Sequence, residues 1–445
     1  MQQNPMTVIT EILPDKLEVL KTYLEPIGLD IKNKKSQEIS FAAYDHLHYC
    51  TFFVIPGDHP SPGSSPAPAL LAFEANIDGE VKDFVNELIE RNPDFVNKVY
   101  SCCVGYPGSD AGQLAAYLLA NDQGANAFYV AHPGQNRNTI YRQREIRGHI
   151  EKFIDDKRSE LVGQTEAQIQ AAVVQHLQTV YPAGIPKIAA QPFLTLYGDK
   201  LFNALLALVG IVLVGGFFGW FGPFTEFLAT LAVLGAVAFG VVLRWHEMRD
   251  KQDDKPWVVS EQMQAIQRVE DRQLQNHLTS VIEIKPGNFR FYTLKVVLAG
   301  INLVAKLVAT KGNLSGIVTI HFARWVILPG NAGGRRRLLF MSNYDGSWEN
   351  YLGEFIDHAS VGLTAVWSNT QQAKDRGFPD TQWLALRGGS RDEQRFKNFA
   401  RNSQLPELVW YSAYTDLSVK NIENNRRIHA GLFSTTDLAA WLKCL

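Results

Sequence analysis

The chain has 445 residues, 46% of them hydrophobic and 20% charged, with a formal net charge of −2. Such a composition describes a folded protein with room for two or three cores, and its neutrality gives no reason to expect nucleic acid as a partner. Four cysteines without a Cys-x-x-Cys spacing argue for reduced thiols, not a disulfide framework or a structural zinc site. The amino-terminal Met1-Gln-Gln-Asn-Pro5 lacks the basic patch and apolar core of a cleavable signal peptide.

The first patterned stretch is His48-Tyr-Cys-Thr-Phe-Phe-Val-Ile-Pro-Gly57, followed by Leu71-Ala-Phe-Glu-Ala-Asn-Ile-Asp-Gly79 and a helical segment from Glu80 to Glu90. His46 and His48, two apart on a strand, share a face, which is the minimum geometry for two metal ligands, with His59 or His132 as a third; an ordinary hydrogen-bonded pair is the alternative. A tail containing Tyr129, Ala131, Ile140, Arg144 and Ile146 closes this part.

Next comes an apolar run. Leu201 to Thr225 carries no charge, and Phe227 to Leu243 continues uncharged after Glu226. Roughly 20 helical residues cross a bilayer, so the run suits two crossings joined at Gly222-Pro223; a buried hairpin in a soluble core is the competing reading. Lys187 and Lys200 precede it and Arg244, Arg249, Lys251 and Lys255 follow it, while the turn has no cation. That asymmetry predicts cytoplasmic lobes on a cytoplasmic membrane. Glu261 to Leu278 reads as a polar helical connector. Phe289 to Thr310 reads as an amphipathic helix with Lys295, Asn302 and Lys306 on one stripe, lying in the headgroup plane or buried against a lobe.

The opening pattern then returns. His321-Phe-Ala-Arg-Trp-Val-Ile-Leu-Pro-Gly330 and Leu338-Leu-Phe-Met-Ser-Asn-Tyr-Asp-Gly346 repeat it, and the tail recurs at Tyr411, Ala413, Ile422, Arg426 and Ile428. The chain is an internal duplication. In the second copy, Ile317–Leu328, Leu338–Ser342, Thr364–Trp367, Trp383–Leu386 and Leu408–Ser412 read as strands. Ser347–His358, Asp392–Asn402 and Ser418–Ala430 read as helices. From Leu338 the order is β-α-β-β-α-β. The first copy lacks 15 residues found between Trp367 and Arg391. The predicted fold class is α+β, two ferredoxin-like repeats pairing as a pseudo-dimer around an inserted transmembrane helical hairpin. The expected segments are 1–160, 161–200, 201–244, 245–312 and 313–445.

This two-copy layout, with Asp78-Gly79 and Asp345-Gly346 at strand-to-helix turns, resembles the dimeric α/β-barrel superfamily of dye-decolorising peroxidases and chlorite dismutases. Ala75 and Ser342 stand where the peroxidase motif Gly-x-x-Asp-Gly has its leading glycine. The strings His321-Phe-Ala-Arg-Trp325, Ser342-Asn-Tyr-Asp-Gly-Ser-Trp-Glu349 and Tyr411-Ser-Ala-Tyr-Thr-Asp-Leu-Ser-Val-Lys-Asn-Ile422 are similar to those of an uncharacterised bacterial family of membrane-associated proteins. The superfamily resemblance implies haem, with Asp345 on its distal side, His358 as a candidate ligand, and Asn343 and Arg426 as further cofactor-binding residues.

Two readings of the residues stand side by side. Asp345 can cap the first turn of the helix that follows it, with Asn343 helping the turn, or it can act with Arg324 and His321 as an acid-base group on peroxide. His321 and Arg324 are three apart on a strand and face opposite ways unless the strand bulges. His358 near a helix end also suits the helix dipole. Arg144 and Arg426 either pair with carboxylates or bind an anionic headgroup or propionate. Two functions follow: a membrane-anchored, haem-dependent, peroxidase-like oxidoreductase acting on peroxide or a lipid-derived substrate, or a non-catalytic membrane-bound ligand-binding or scaffolding protein. The bilayer is the expected partner in both, and self-association as a homo-oligomer is left open.

Overall fold

Strict alternation along Gln3–Glu11 (β1) sends Met6 and Val8 to one core and Ile9 to another, the two-residue period of a strand buried on both faces. The structure, a computed structural model, describes residues 2–32, 36–57, 68–187, 192–249, 266, 270, 273–310, 312–314, 316–328, 330, 336–370 and 377–445. After β1 come α1 (Leu17–Lys32), β2 (Leu47–Ile55), β3 (Leu70–Asp78), α2 (Val81–Arg91), α3 (Pro93–Tyr100), α4 (Ala111–Ala120), β4 (Ala127–Val130) and α5 (Arg137–Asp156). Helices α6 (Arg158–Leu161) and α7 (Glu166–Val180) lead to the apolar pair α8 (Phe193–Phe217) and α9 (Pro223–Glu247). The second half is β5 (Gln275–Glu283), α10 (Asn288–Leu307), β6 (Ile320–Leu328), β7 (Arg337–Asp345), α11 (Trp348–Trp367), β8 (Thr381–Gln382), β9 (Arg387–Gly388), α12 (Glu393–Ser403), β10 (Gln404–Leu405), β11 (Glu407–Ser412), α13 (Val419–Gly431) and α14 (Leu438–Leu442).

The architecture is α+β, with two main antiparallel sheets. Their strand orders are β1-β3-β2-β11 and β10-β5-β7-β6-β4. Each sheet therefore takes its last strand from the other half: β11 pairs with β2, and β4 with β6. Counted from β1 and from β5, both halves run β-α-β-β-α-β with further short elements, but the exchanged strand means neither closes by itself as a self-contained repeat. The sheets stack face to face, burying Ile9, Phe53, Ile55 and Ala72 against Val281, Val326, Leu328, Leu339 and Met341. Helices cover the outer faces, and α5 packs on α13 through Ile146, Ile150, Ile428 and Leu432.

Several expectations change. Residues 261–265, 267–269 and 271–272 lie outside the described residues, but the end of the predicted polar connector, Gln275–Leu278, is strand. Its His277, Thr279 and Val281 face the other sheet while Leu278 and Ile282 enter the helix-side core, so the second half begins at β5 instead of residue 313. Gln3-Asn4 and Thr7 recur there as Gln275-Asn276 and Thr279. Thr364–Trp367 closes α11 and is not a strand: Leu352, Phe355, Leu363 and Val366 are buried at helical spacing. His358 consequently sits in mid-helix and not in its last turn. Trp383–Leu386 is no strand either, because Trp383, Leu384 and Ala385 all have positive φ. Helix α10 buries Arg290, Leu294, Leu298 and Ala305 against the second half.

The exchange depends on one close approach. A Cβ at Gly28 on α1 would lie 2.0 Å from the carbonyl oxygen of Leu408 in β11. Alanine is the better helix former by about 1 kcal/mol, yet overpacking against rigid backbone costs about 1–3 kcal/mol or more. Gly28→Ala is expected to lower the midpoint of denaturant unfolding; a raised midpoint would mean that α1 does not seat on the exchanged strand this tightly.

Candidate functional site

Both β2 and β6 bulge at their histidine. Pairing with the neighbouring strand slips between Leu47 and Tyr49 in one half and between Ile320 and Phe322 in the other, and a bulge re-aims the side chain it carries. His48 Nε2 lies 3.0 Å from Asp78 Oδ2, and His321 Nε2 lies 2.7 Å from Asp345 Oδ1. Each aspartate also accepts the first amide of a distant helix: Arg137 N at 2.9 Å heads α5, and Val419 N at 2.7 Å heads α13. A carboxylate there satisfies an orphan amide and complements the positive end of the helix. The predicted capping role is thus met on another helix, while Ser347 caps α11.

The remaining contacts repeat as well. Gln3 donates to the Gln135 carbonyl at 2.7 Å and Gln275 to the Leu417 carbonyl at 2.6 Å. The carbonyls of His48 and His321 accept the amides of Ala413 and Ala131, each at 2.9 Å and each from the opposite half. Every histidine thereby ties the other half's tail to its own half's aspartate and helix. Between the two pairs stand Tyr49 and Phe322, ring centroids 5.7 Å apart, and Tyr414, whose hydroxyl hydrogen-bonds His48 Nδ1. All three rings are buried.

Arg324 does not join His321 and Asp345. The bulge brings Arg324 and His321 to the same side of β6, but Arg324 crosses to the first sheet. There it donates to the carbonyls of Met6 at 2.7 Å and Ala75 at 3.0 Å, to Thr7 Oγ1 at 3.1 Å and to Asn76. Glu74 lies 3.3 Å away. Glu74 in turn meets His277 Nε2 at 2.8 Å, and Glu407 meets His277 Nδ1 at 3.1 Å. Burial alone would raise the Glu74 pKa, but Arg324 and His277 hold it down at about 2. Burial likewise pulls His277 down, and the two carboxylates more than offset it, pushing it up to about 9. Both ring nitrogens face carboxylates, as an imidazolium with two donors requires.

The other predicted residues lie apart. Asn343 accepts a hydrogen bond from Trp410 Nε1 at 3.1 Å across the sheets. His358 is exposed on α11 beside Gly316. Arg426 is held by Glu423 through Nε at 2.8 Å and a terminal nitrogen at 2.6 Å, and Arg144 pairs with Asp416. Glu423 also approaches His132, whose burial brings its pKa down to about 4. His46 turns to Glu87 at 3.3 Å, so it does not converge with His48; His59 lies outside the described residues. Among the described residues no group of three or more His, Cys, Asp or Glu is arranged to hold a metal ion.

Sequence reasoning singled out His321, Asp345 and Arg324 but missed Gln3, Gln275, Glu74, His277 and Glu407. The recurring Gln-Asn pair was the signal for the glutamines. No spacing pointed to Glu74 and His277, which meet only because the sheets stack. No protein-family model, curated protein or solved structure matches the chain.

The buried imidazolium sets a pH dependence. A histidine raised from 6.5 to about 9 on folding contributes stability that is complete below pH 6.5 and is lost as pH rises through 9. The gap in melting temperature between wild type and His277→Gln is expected to be widest near pH 6 and to narrow by pH 10. A gap that widens with pH would contradict a protonated His277.

Proposed function

We infer that the protein is a membrane-anchored, non-catalytic body that binds or presents a partner at the bilayer surface. The observation that carries this reading is the symmetry of the histidine–aspartate pairs. Both halves keep the same pair with the same backbone partners, the arrangement of a structural latch and not of a single working pocket. Haem fits these residues poorly: the His48 and His321 ring nitrogens already engage Asp78 and Asp345, the intervening space is filled by Tyr49, Phe322 and Tyr414, and His358 faces outward at a different place. The peroxidase-like reading therefore takes second place.

Membrane anchoring is supported by α8 and α9, each 25 residues, whose apolar windows are only 11% and 6% buried. At about 1.5 Å per residue each is long enough to cross the hydrocarbon. Pro223 opens α9 after Gly222, whose positive φ of 94° makes the turn. Helix α10 lies across the base of this hairpin: Phe289 stacks on His246 at 4.8 Å near one end, and Leu307 abuts Gly198 near the other. Its face opposite the buried one exposes Tyr292 (60%), Val296 (72%) and Leu303 (45%), an apolar stripe at helical spacing suited to the acyl boundary. Lys187, Lys200, Arg244 and Arg249 at the hairpin base support a cytoplasmic body; Lys251 and Lys255 lie outside the described residues.

Two measurements test the reading. A cysteine replacing Gly222 should react with an impermeant reagent from the side opposite the body, while labelling from the body's side would overturn the orientation. Purified protein titrated with haem should show no Soret band and no peroxide-dependent oxidation. A Soret band with turnover that is lost in Asp345→Asn or Arg324→Ala would restore the oxidoreductase reading.

A further inference from the structure

The segment that the first half lacks has a specific place in the fold. Part of it, residues 377–390, includes the β8–β9 hairpin, whose tip runs through Trp383, Leu384, Ala385 and Leu386. Three successive tip residues adopt left-handed backbone, with φ of 55°, 59° and 61°, a conformation that costs a residue with a side chain about 1 kcal/mol or more each and persists only where its surroundings impose it. Here the surroundings are the end of α9. The buried Glu247 carboxylate accepts the amides of Leu384 at 2.8 Å and Ala385 at 2.5 Å, and the Arg244 guanidinium lies 5.0 Å from the Trp383 ring centroid.

This clamp turns apolar side chains outward. Trp383 is 59% exposed and Leu386 70%. The tip also rises along the membrane helix: a Cβ at Gly240 would lie 3.8 Å from Leu384 Cδ1. Gly240 is four residues inside the uncharged stretch from Arg244, about 6 Å further along the axis. Leu384 thus stands level with a part of α9 that has no charge, and Trp383 stands over the last charged residue before it. Tryptophan beside arginine at the border of an apolar span is the chemistry of the headgroup region.

Resting on the membrane-anchored reading above, we propose that the Trp383–Leu386 tip is a further membrane contact beside the hairpin and α10, inserted at the boundary between headgroups and acyl chains and held there by Glu247. Added to those contacts, the tip would keep the body from swinging freely about the membrane helices. The occupant of this apolar tip is the bilayer, because the tip is continuous with the exposed surface of α9 and two of its amides are pinned to that helix, while Arg391 of the body holds only the Ala385 carbonyl, at 3.2 Å.

The test uses the full chain in vesicles of phosphatidylethanolamine and phosphatidylglycerol. A nitroxide is placed at Leu386→Cys in a Cys444→Ser background, whose remaining cysteines are buried, and its collisions with oxygen and with a water-soluble nickel chelate are compared. Labels at Leu208→Cys within α8 and at Gln113→Cys on α4 serve as hydrocarbon and aqueous references. The 386 label is expected to favour oxygen as an interfacial site does, and Glu247→Gln should raise its nickel accessibility severalfold by freeing the strained tip. A lipidic signal at 208 with an aqueous one at 386 would overturn the proposal and leave the tip to a protein partner, with anchoring intact. Aqueous signals at both positions would overturn the anchoring as well. Unchanged accessibility in Glu247→Gln would refute the clamp.

Discussion

Arg324→Met is expected to destabilise the folded body by about 3–5 kcal/mol, the cost of breaking a buried ion pair from one side. The guanidinium donates to four groups of the opposite half and lies 3.3 Å from Glu74. Methionine fills much of the volume but leaves the carbonyls of Met6 and Ala75 without these donors and Glu74 with only His277 and Asn76 against its charge. Each buried polar group so orphaned costs about 1–3 kcal/mol. Adding Glu74→Gln to Arg324→Met should recover part of the loss, because the uncompensated carboxylate is then gone, and a double-mutant cycle in chemical denaturation would read this as a coupling energy. Independent, additive losses would show that Arg324 and Glu74 do not stabilise one another.

Asp345→Ala and Asp78→Ala are expected to cost nearly the same, about 2–4 kcal/mol each, from a lost helix cap of about 1 kcal/mol plus the buried histidine left without its carboxylate neighbour. Equality is the informative part. In one half the aspartate holds His321 and the amide that opens α13; in the other it holds His48 and the amide that opens α5. Asp345 divides its two partners between its oxygens and Asp78 meets both through Oδ2, but the partners themselves correspond, so the two sites should respond alike. If Asp78→Ala proved costly and Asp345→Ala left stability unchanged, Asp345 would not be part of a latch, and a reactive role for it would gain ground. Asp→Asn at either position keeps one acceptor oxygen and should lose less than alanine.

The sequence by itself determined the duplication, the apolar hairpin and the strands on either side of each Asp-Gly, because each rests on local pattern. Repeated strings need no partner to be recognised, an uncharged run of hairpin length has few other homes, and Asp78 and Asp345 sit before glycines with φ of 89° and 81° that end a strand wherever they occur. Even the missed start of the second half was legible, since Gln275-Asn276 repeats Gln3-Asn4. The start of that strand, Gln275–Leu278, reads as the end of a polar helix because both faces of the strand are buried, which blurs its period. Only the tertiary structure decided that β4 and β11 change halves, since strand pairing depends on which edge is open in space. It likewise decided that Asp345 caps a helix beginning 74 positions later, and that Arg324 leaves His321 for Glu74. Those partners are far apart in sequence and are chosen by how two buried sheets satisfy their polar groups, a requirement with no signature in spacing.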